Sequence, residues 1–100
     1  MSAEFTETTG NVFEDLGFGK PEAENLRIRS LLMGALRELI AREDLTQTRA
    51  AEIFGVTQPR ISDLVRGKIE LFSIDALVNM LAAAGRGVRV SVEEPSDRAA

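Results

Sequence analysis

Between residues 21 and 43 apolar side chains return every three or four positions, at Ile28, Leu32, Ala35, Leu36, Leu39 and Ile40, while Arg29, Arg37 and Glu38 fall elsewhere. That spacing predicts one long amphipathic helix with a single buried face. Pro21 suits its first turn, where a missing N–H is no loss, and Glu22 and Glu24 sit where the helix dipole favours anions. The helix should end near Glu43. From Thr46 to Gly67 the period is the same but the segments are shorter. Thr46 can cap one helix, Gly55 supplies the left-handed residue that closes it, and Thr57 can cap a second that runs to Gly67. Ser73 caps another, with Ile74, Leu77, Val78 and Leu81 on one face and Gly85 as its stop.

The two short helices are joined by a tight turn, and their small and apolar residues say how they cross. Ala51 lies four residues before Gly55, where steeply crossing helices leave no room for a larger side chain. Ile61, Leu64 and Val65 give the second helix its inward side; Pro59, Ser62, Asp63 and Arg66 then face outward, with Gln58 and Arg60 at the leading end and flank. This is the outline of a helix-turn-helix.

After Gly85-Arg86-Gly87 the pattern changes to period two: Val88, Val90 and Val92 alternate with Arg89, Ser91 and Glu93, as in a half-buried strand. No second convincing strand occurs, and a lone edge leaves its backbone groups unpaired. Two copies of this segment are therefore expected to pair across the twofold axis of a homodimer, the alternative being a tail lying on its own domain. The expected organisation is an acidic N-terminal arm over 1–20, a helical domain with its C-terminal strand over 21–92, and a flexible tail over 93–100.

Composition narrows the chemistry. Neither Cys nor His occurs among the 100 residues, which excludes disulfides and thiolate metal sites, and removes both the commonest metal ligand and the usual general base near neutral pH. No nucleophile–base pair or metal cluster can be assembled from what is left, so no enzyme, no cofactor and no metal site are expected. The net charge of −4 would argue against nucleic acid, but its distribution does not. Residues 1–25 hold Glu4, Glu7, Glu14, Asp15, Glu22 and Glu24 against Lys20 alone, whereas 46–68 carry Arg49, Arg60, Arg66 and Lys68 against Glu52 and Asp63. A locally basic middle can still meet phosphates. The N-terminus lacks the basic start and apolar run of a secretory peptide, and the longest apolar runs fall far short of a membrane span, so a cytoplasmic protein is expected.

Thr46-Gln47, Ala51, Gly55-Val56-Thr57-Gln58, Ile61-Ser62, Leu64 and the closing Gly67 reproduce a spaced pattern. In it residues 26–84 closely resemble the DNA-binding domain of the lambda-repressor-like, or XRE, family. The stretch Asn25-Leu-Arg-Ile-Arg-Ser-Leu-Leu-Met33 and the short C-terminal extension look more narrowly like the HigA-type antitoxins of toxin–antitoxin pairs. The resemblance implies an all-α, lambda-repressor-like bundle, here with the short C-terminal β-strand pairing across a dimer. It also implies binding to double-stranded DNA at a palindromic operator, one recognition helix per half-site and the half-sites about one helical turn apart.

By the same resemblance Gln58 is the base-reading residue, since a carboxamide can pair with the N6 and N7 edge of adenine. Gln47 matches the family position that contacts phosphate and can brace Gln58. Around them, Arg60 can pair with guanine, Asp63 can accept from cytosine N4, Ser62 lies on the same outward face, and Pro59, where many members carry a hydrogen-bonding residue, is better suited to a thymine methyl. Arg49, Thr57, Arg66 and Lys68 are placed for phosphates, which orient the protein but carry little sequence information.

The arm has another logic. Three of the five Phe residues lie in the first 18, beside acids that repel DNA. In HigA-type pairs the partner is a small ribonuclease toxin of the RelE/HigB type, whose RNA-binding surface is expected to be basic. Val12, Phe13, Leu16 and Phe18 are candidate anchors for it, unless they pack onto the chain's own first helix. Two further alternatives are a free-standing regulator without a toxin, and a protein-interaction module whose helix-turn-helix does not bind DNA.

Overall fold

The computed structural model describes residues 11–94. The first ten residues of the acidic arm and the tail from Pro95 onward lie outside the described residues. In chain order the elements are α1 (Val12–Asp15), α2 (Lys20–Arg42), α3 (Gln47–Phe54), α4 (Gln58–Val65), a 3-10 turn (Ile69–Leu71) and α5 (Ile74–Ala83).

The helix ends follow from local chemistry. Pro21 stands in the first turn of α2. The Thr46 hydroxyl accepts from the Arg49 N–H at 3.0 Å, and Gly55 closes α3 at φ 72°. The Ser73 hydroxyl accepts from the Ala76 N–H at 3.0 Å and so caps α5. Thr57 is different: it occupies the N-cap position of α4 with extended backbone, but its side chain makes no capping bond.

One core joins these helices. Met33, Leu36 and Leu39 from α2 meet Ala50, Ala51 and Phe54 from α3, Ile61 and Leu64 from α4, Phe72, and Leu77, Met80 and Leu81 from α5. α2 packs on α5, α3 packs on α5 in turn, and α3 carries α4. Ala50 and Ala51 are buried where α3 meets its neighbours, as a close crossing requires. The largest of the side chains that lose essentially all contact with water are Phe54 and Phe72, followed by Leu36, Ile61, Leu64 and Leu77. Burying a large apolar side chain contributes about 1.5–3 kcal/mol, so this cluster holds the angle between α3 and α4.

The buried stripe of α2 differs from the sequence expectation. It runs through Ala23, Leu26, Met33, Leu36 and Leu39, while Leu32, Ala35 and Ile40 pack partly buried along its margin and Ile28 is half-buried. The cause is a helix covered from more than one side: α1 and the 3-10 turn also contact α2. Arg29, expected away from the core, is half-buried and donates to the carbonyls of Ile69 at 3.3 Å and Phe72 at 3.4 Å. It fastens α2 to the turn that leads into α5.

Both flanks depart from the simplest reading. Residues 11–18 fold back on the domain: Asn11 is buried, its Nδ2 donates to the Ala23 carbonyl at 3.0 Å, and its Oδ1 accepts from the Phe13 N–H at 2.9 Å, capping α1. Beyond α5, residues 86–94 form no strand, and no strand occurs among the described residues. A strand is defined by its ladder, and no described segment lies alongside this one to form it. Val88, Val90 and Val92 stand in water, the last two 80% and 91% exposed.

Candidate nucleic-acid interface

The leading turns of α3 and α4 lie together on the surface, and a side-chain bond joins them. Gln58, the first residue of α4, donates from Nε2 to the Thr48 hydroxyl in the first turn of α3. Gln47, beside Thr48 in sequence, is exposed, as are Thr57 and Pro59. The residue that holds Gln58 is thus Thr48 and not Gln47. Sequence reading passed over Thr48, although a hydroxyl in the first turn of the preceding helix was the available signal.

Behind this edge α4 turns Ile61 and Leu64 fully inward, with Val65 half-buried. Ser62 and Asp63 are half-buried and Arg66 is exposed. Gln58 and Pro59 at the start of α4 and Arg66 at its C-cap are thus exposed, with the half-buried Ser62 and Asp63 between them.

Arg60 is engaged within the protein. Its Nη1 donates to the Leu71 carbonyl at 3.0 Å, and its guanidinium lies 4.1 Å from the centroid of the buried Phe72 ring. A cation over an aromatic face contributes about 0.5–2 kcal/mol according to its exposure. These contacts tie the flank of α4 to the 3-10 turn and the residue that follows it. A base contact through Nη1 would compete with them.

The phosphate candidates are differently engaged. Arg49 pairs with Glu52 at 3.0 Å with both side chains well exposed, and Lys68 lies 3.9 Å from Asp63. Exposed pairs of this kind are worth little, up to about 1 kcal/mol, so a phosphate can replace the acid. Arg66 has no acid within ion-pair distance among the described residues. Gly67 closes α4 at φ 75°, and the Arg37 guanidinium approaches it, 3.6 Å from where a Cβ would stand. Arg66, Lys68 and Arg37 therefore gather at the far end of α4, while Arg49 lies with the uncharged hydrogen-bonding groups at the leading edge of α3 and α4.

The remaining predicted residues lie apart from this edge. Phe13 is half-buried and meets Phe18 edge to face with centroids 6.3 Å apart, while Val12, Leu16 and Phe18 face outward. Val88, Val90 and Val92 extend beyond α5. Among the described residues there is no cluster of three or more metal-ligating side chains, and no helix is long and apolar enough to cross a membrane.

A capped helix, a left-handed glycine, a second helix docked through Ile61 and Leu64, and an exposed polar edge define a helix-turn-helix unit. The match to the family described as "Helix-turn-helix domain" spans residues 12–93, and the chain belongs to that family. A solved structure named "Putative XRE Family Transcriptional Regulator" is similar at 36% identity and a TM-score of 0.71, covering 80% of this chain and 91% of that one. No curated protein matches significantly.

Proposed function

We propose that the protein is a sequence-specific DNA-binding transcriptional regulator that inserts α4 into the major groove. The observation that carries this reading is the use of the α3–α4 edge: the apolar side of α4 is consumed by the core, and Gln58, a residue that neither caps nor packs, stands at its exposed leading end. Gln58, Pro59, Ser62 and Asp63 face the bases. Gln47, Thr57, Arg49, Arg66 and Lys68 meet the flanking phosphates. Arg60 is assigned chiefly to holding α4 at its docking angle. Likeness to an XRE-family regulator over most of both chains supports the assignment. Duplexes selected from a random pool by the purified protein should converge on one sequence. A pool that stays random after repeated selection contradicts the proposal.

Two finer features belong to the same reading. The exposed Val88, Val90 and Val92 find no ladder among the described residues, and a second copy supplies one, giving a homodimer on a palindromic operator. On the other side, the outward Val12, Leu16 and Phe18 lie beside Glu14 and Asp15, an acidic apolar surface suited to a basic protein. That is the surface an antitoxin needs to mask a RelE/HigB-like ribonuclease toxin while repressing its own operon. Coexpression with a ribonuclease encoded next to it should give a complex that L16E abolishes; a complex that L16E leaves intact contradicts this use of α1.

A further inference from the structure

We propose that Thr48 is a positioning residue that sets which base pair Gln58 accepts. The inference rests on the reading of α4 as a recognition helix and adds a residue outside the face that meets the bases.

A glutamine at an exposed helix end has three side-chain torsions to fix before its amide can meet a base edge, and fixing them on binding opposes binding. Here a hydrogen bond restrains them beforehand. The Thr48 hydroxyl accepts from Gln58 Nε2, which uses one of the two amide hydrogens and leaves the other, together with Oε1, for a base. What remains is one donor beside one acceptor, the pattern that matches adenine N7 and N6–H. A free carboxamide can rotate to offer its two groups in other orders, and so discriminates less. Thr48 itself belongs to the first turn of α3, which the Thr46 cap and the buried Ala50 and Ala51 hold in place. The route is therefore core, α3, Thr48 hydroxyl, Gln58 amide, base.

The test uses the full chain and the duplex that the wild-type protein selects from a random pool. Dissociation constants are measured at one salt concentration for wild type, T48S, T48V, Q58A and T48V/Q58A, on that duplex and on every single base-pair change of it. T48A is a second variant lacking the hydroxyl, and thermal unfolding checks that each variant is folded. At the base pair where Q58A loses discrimination, T48V and T48A should lose about tenfold of the preference, T48S should keep it, and T48V should remove nothing further from Q58A.

If T48V keeps full discrimination where Q58A loses it, the role of Thr48 is overturned and the base-reading role of Gln58 stands. If T48V weakens every duplex equally, also in the Q58A background, Thr48 is only a backbone contact and the proposal is again overturned. If Q58A loses discrimination nowhere, both fall.

Discussion

A single glycine and a single arginine decide how α4 is presented. Gly55 sits at φ 72° with open space where a side chain would start, so substitution by Ala meets no clash and its cost is backbone strain alone. Gly55→Ala should lower the unfolding free energy by about 1–2 kcal/mol, measured by urea denaturation, and a neutral result would contradict the left-handed assignment. Arg60 shows where residue-level reading stops. Its place on the flank of α4 was legible from the helical period, but its embrace of Leu71 and Phe72 was not, because those lie in a turn that no periodicity marks. Arg60→Met should lower stability by about 1 kcal/mol and weaken binding to all duplexes alike. A selective loss at one G·C pair would instead identify it as a base reader.

At the scale of elements the two threonine caps separate stability from recognition. Thr46 caps α3 through its side chain, whereas Thr57 holds the equivalent position of α4 with its hydroxyl unused. Thr46→Ala should therefore cost about 1 kcal/mol of stability. Thr57→Ala should leave the melting temperature nearly unchanged and weaken DNA binding, and a large fall in melting temperature would contradict this division. The helices themselves were readable because each carries its own start and stop: Pro21, Thr46, Gly55, Ser73 and Gly85. The long helix was read with a narrower buried stripe than it has, since a periodicity argument assumes one covering neighbour and α2 is approached by α1, α4, α5 and the 3-10 turn. α1 went unpredicted because a four-residue helix shows no period; what fixes it is Asn11 bonded to Ala23, twelve residues away.

For the whole molecule, the charge arithmetic and the terminal segments set the behaviour. An acidic protein binds DNA only if its cations are concentrated, and here Arg66, Lys68 and Arg37 gather toward the far end of α4 with Arg49 on the neighbouring helix. Arg66→Ala should flatten the plot of log affinity against log salt by roughly one unit for each phosphate that is no longer neutralised, two in a dimer. An unchanged slope would remove Arg66 from the interface. The valine segment beyond α5 carries the proposed dimer: Val90→Glu/Val92→Glu should convert a dimer to a monomer by sedimentation and weaken binding to a symmetric site far more than to a half-site. A dimer that survives both substitutions places the twofold axis elsewhere.

Regulation by this protein requires above all that the Gln58-led end of α4 read base pairs in the major groove. Comparing the affinity of wild type and Q58A for the selected duplex with that for unrelated DNA of equal length, at the same salt, asks this of the molecule without intermediaries. Q58A should lose about ten- to a hundredfold on the selected duplex, nothing on unrelated DNA, and at most about 1 kcal/mol of stability with its bond to Thr48. Equal affinities of wild type and Q58A for the selected duplex would refute base reading by this helix end.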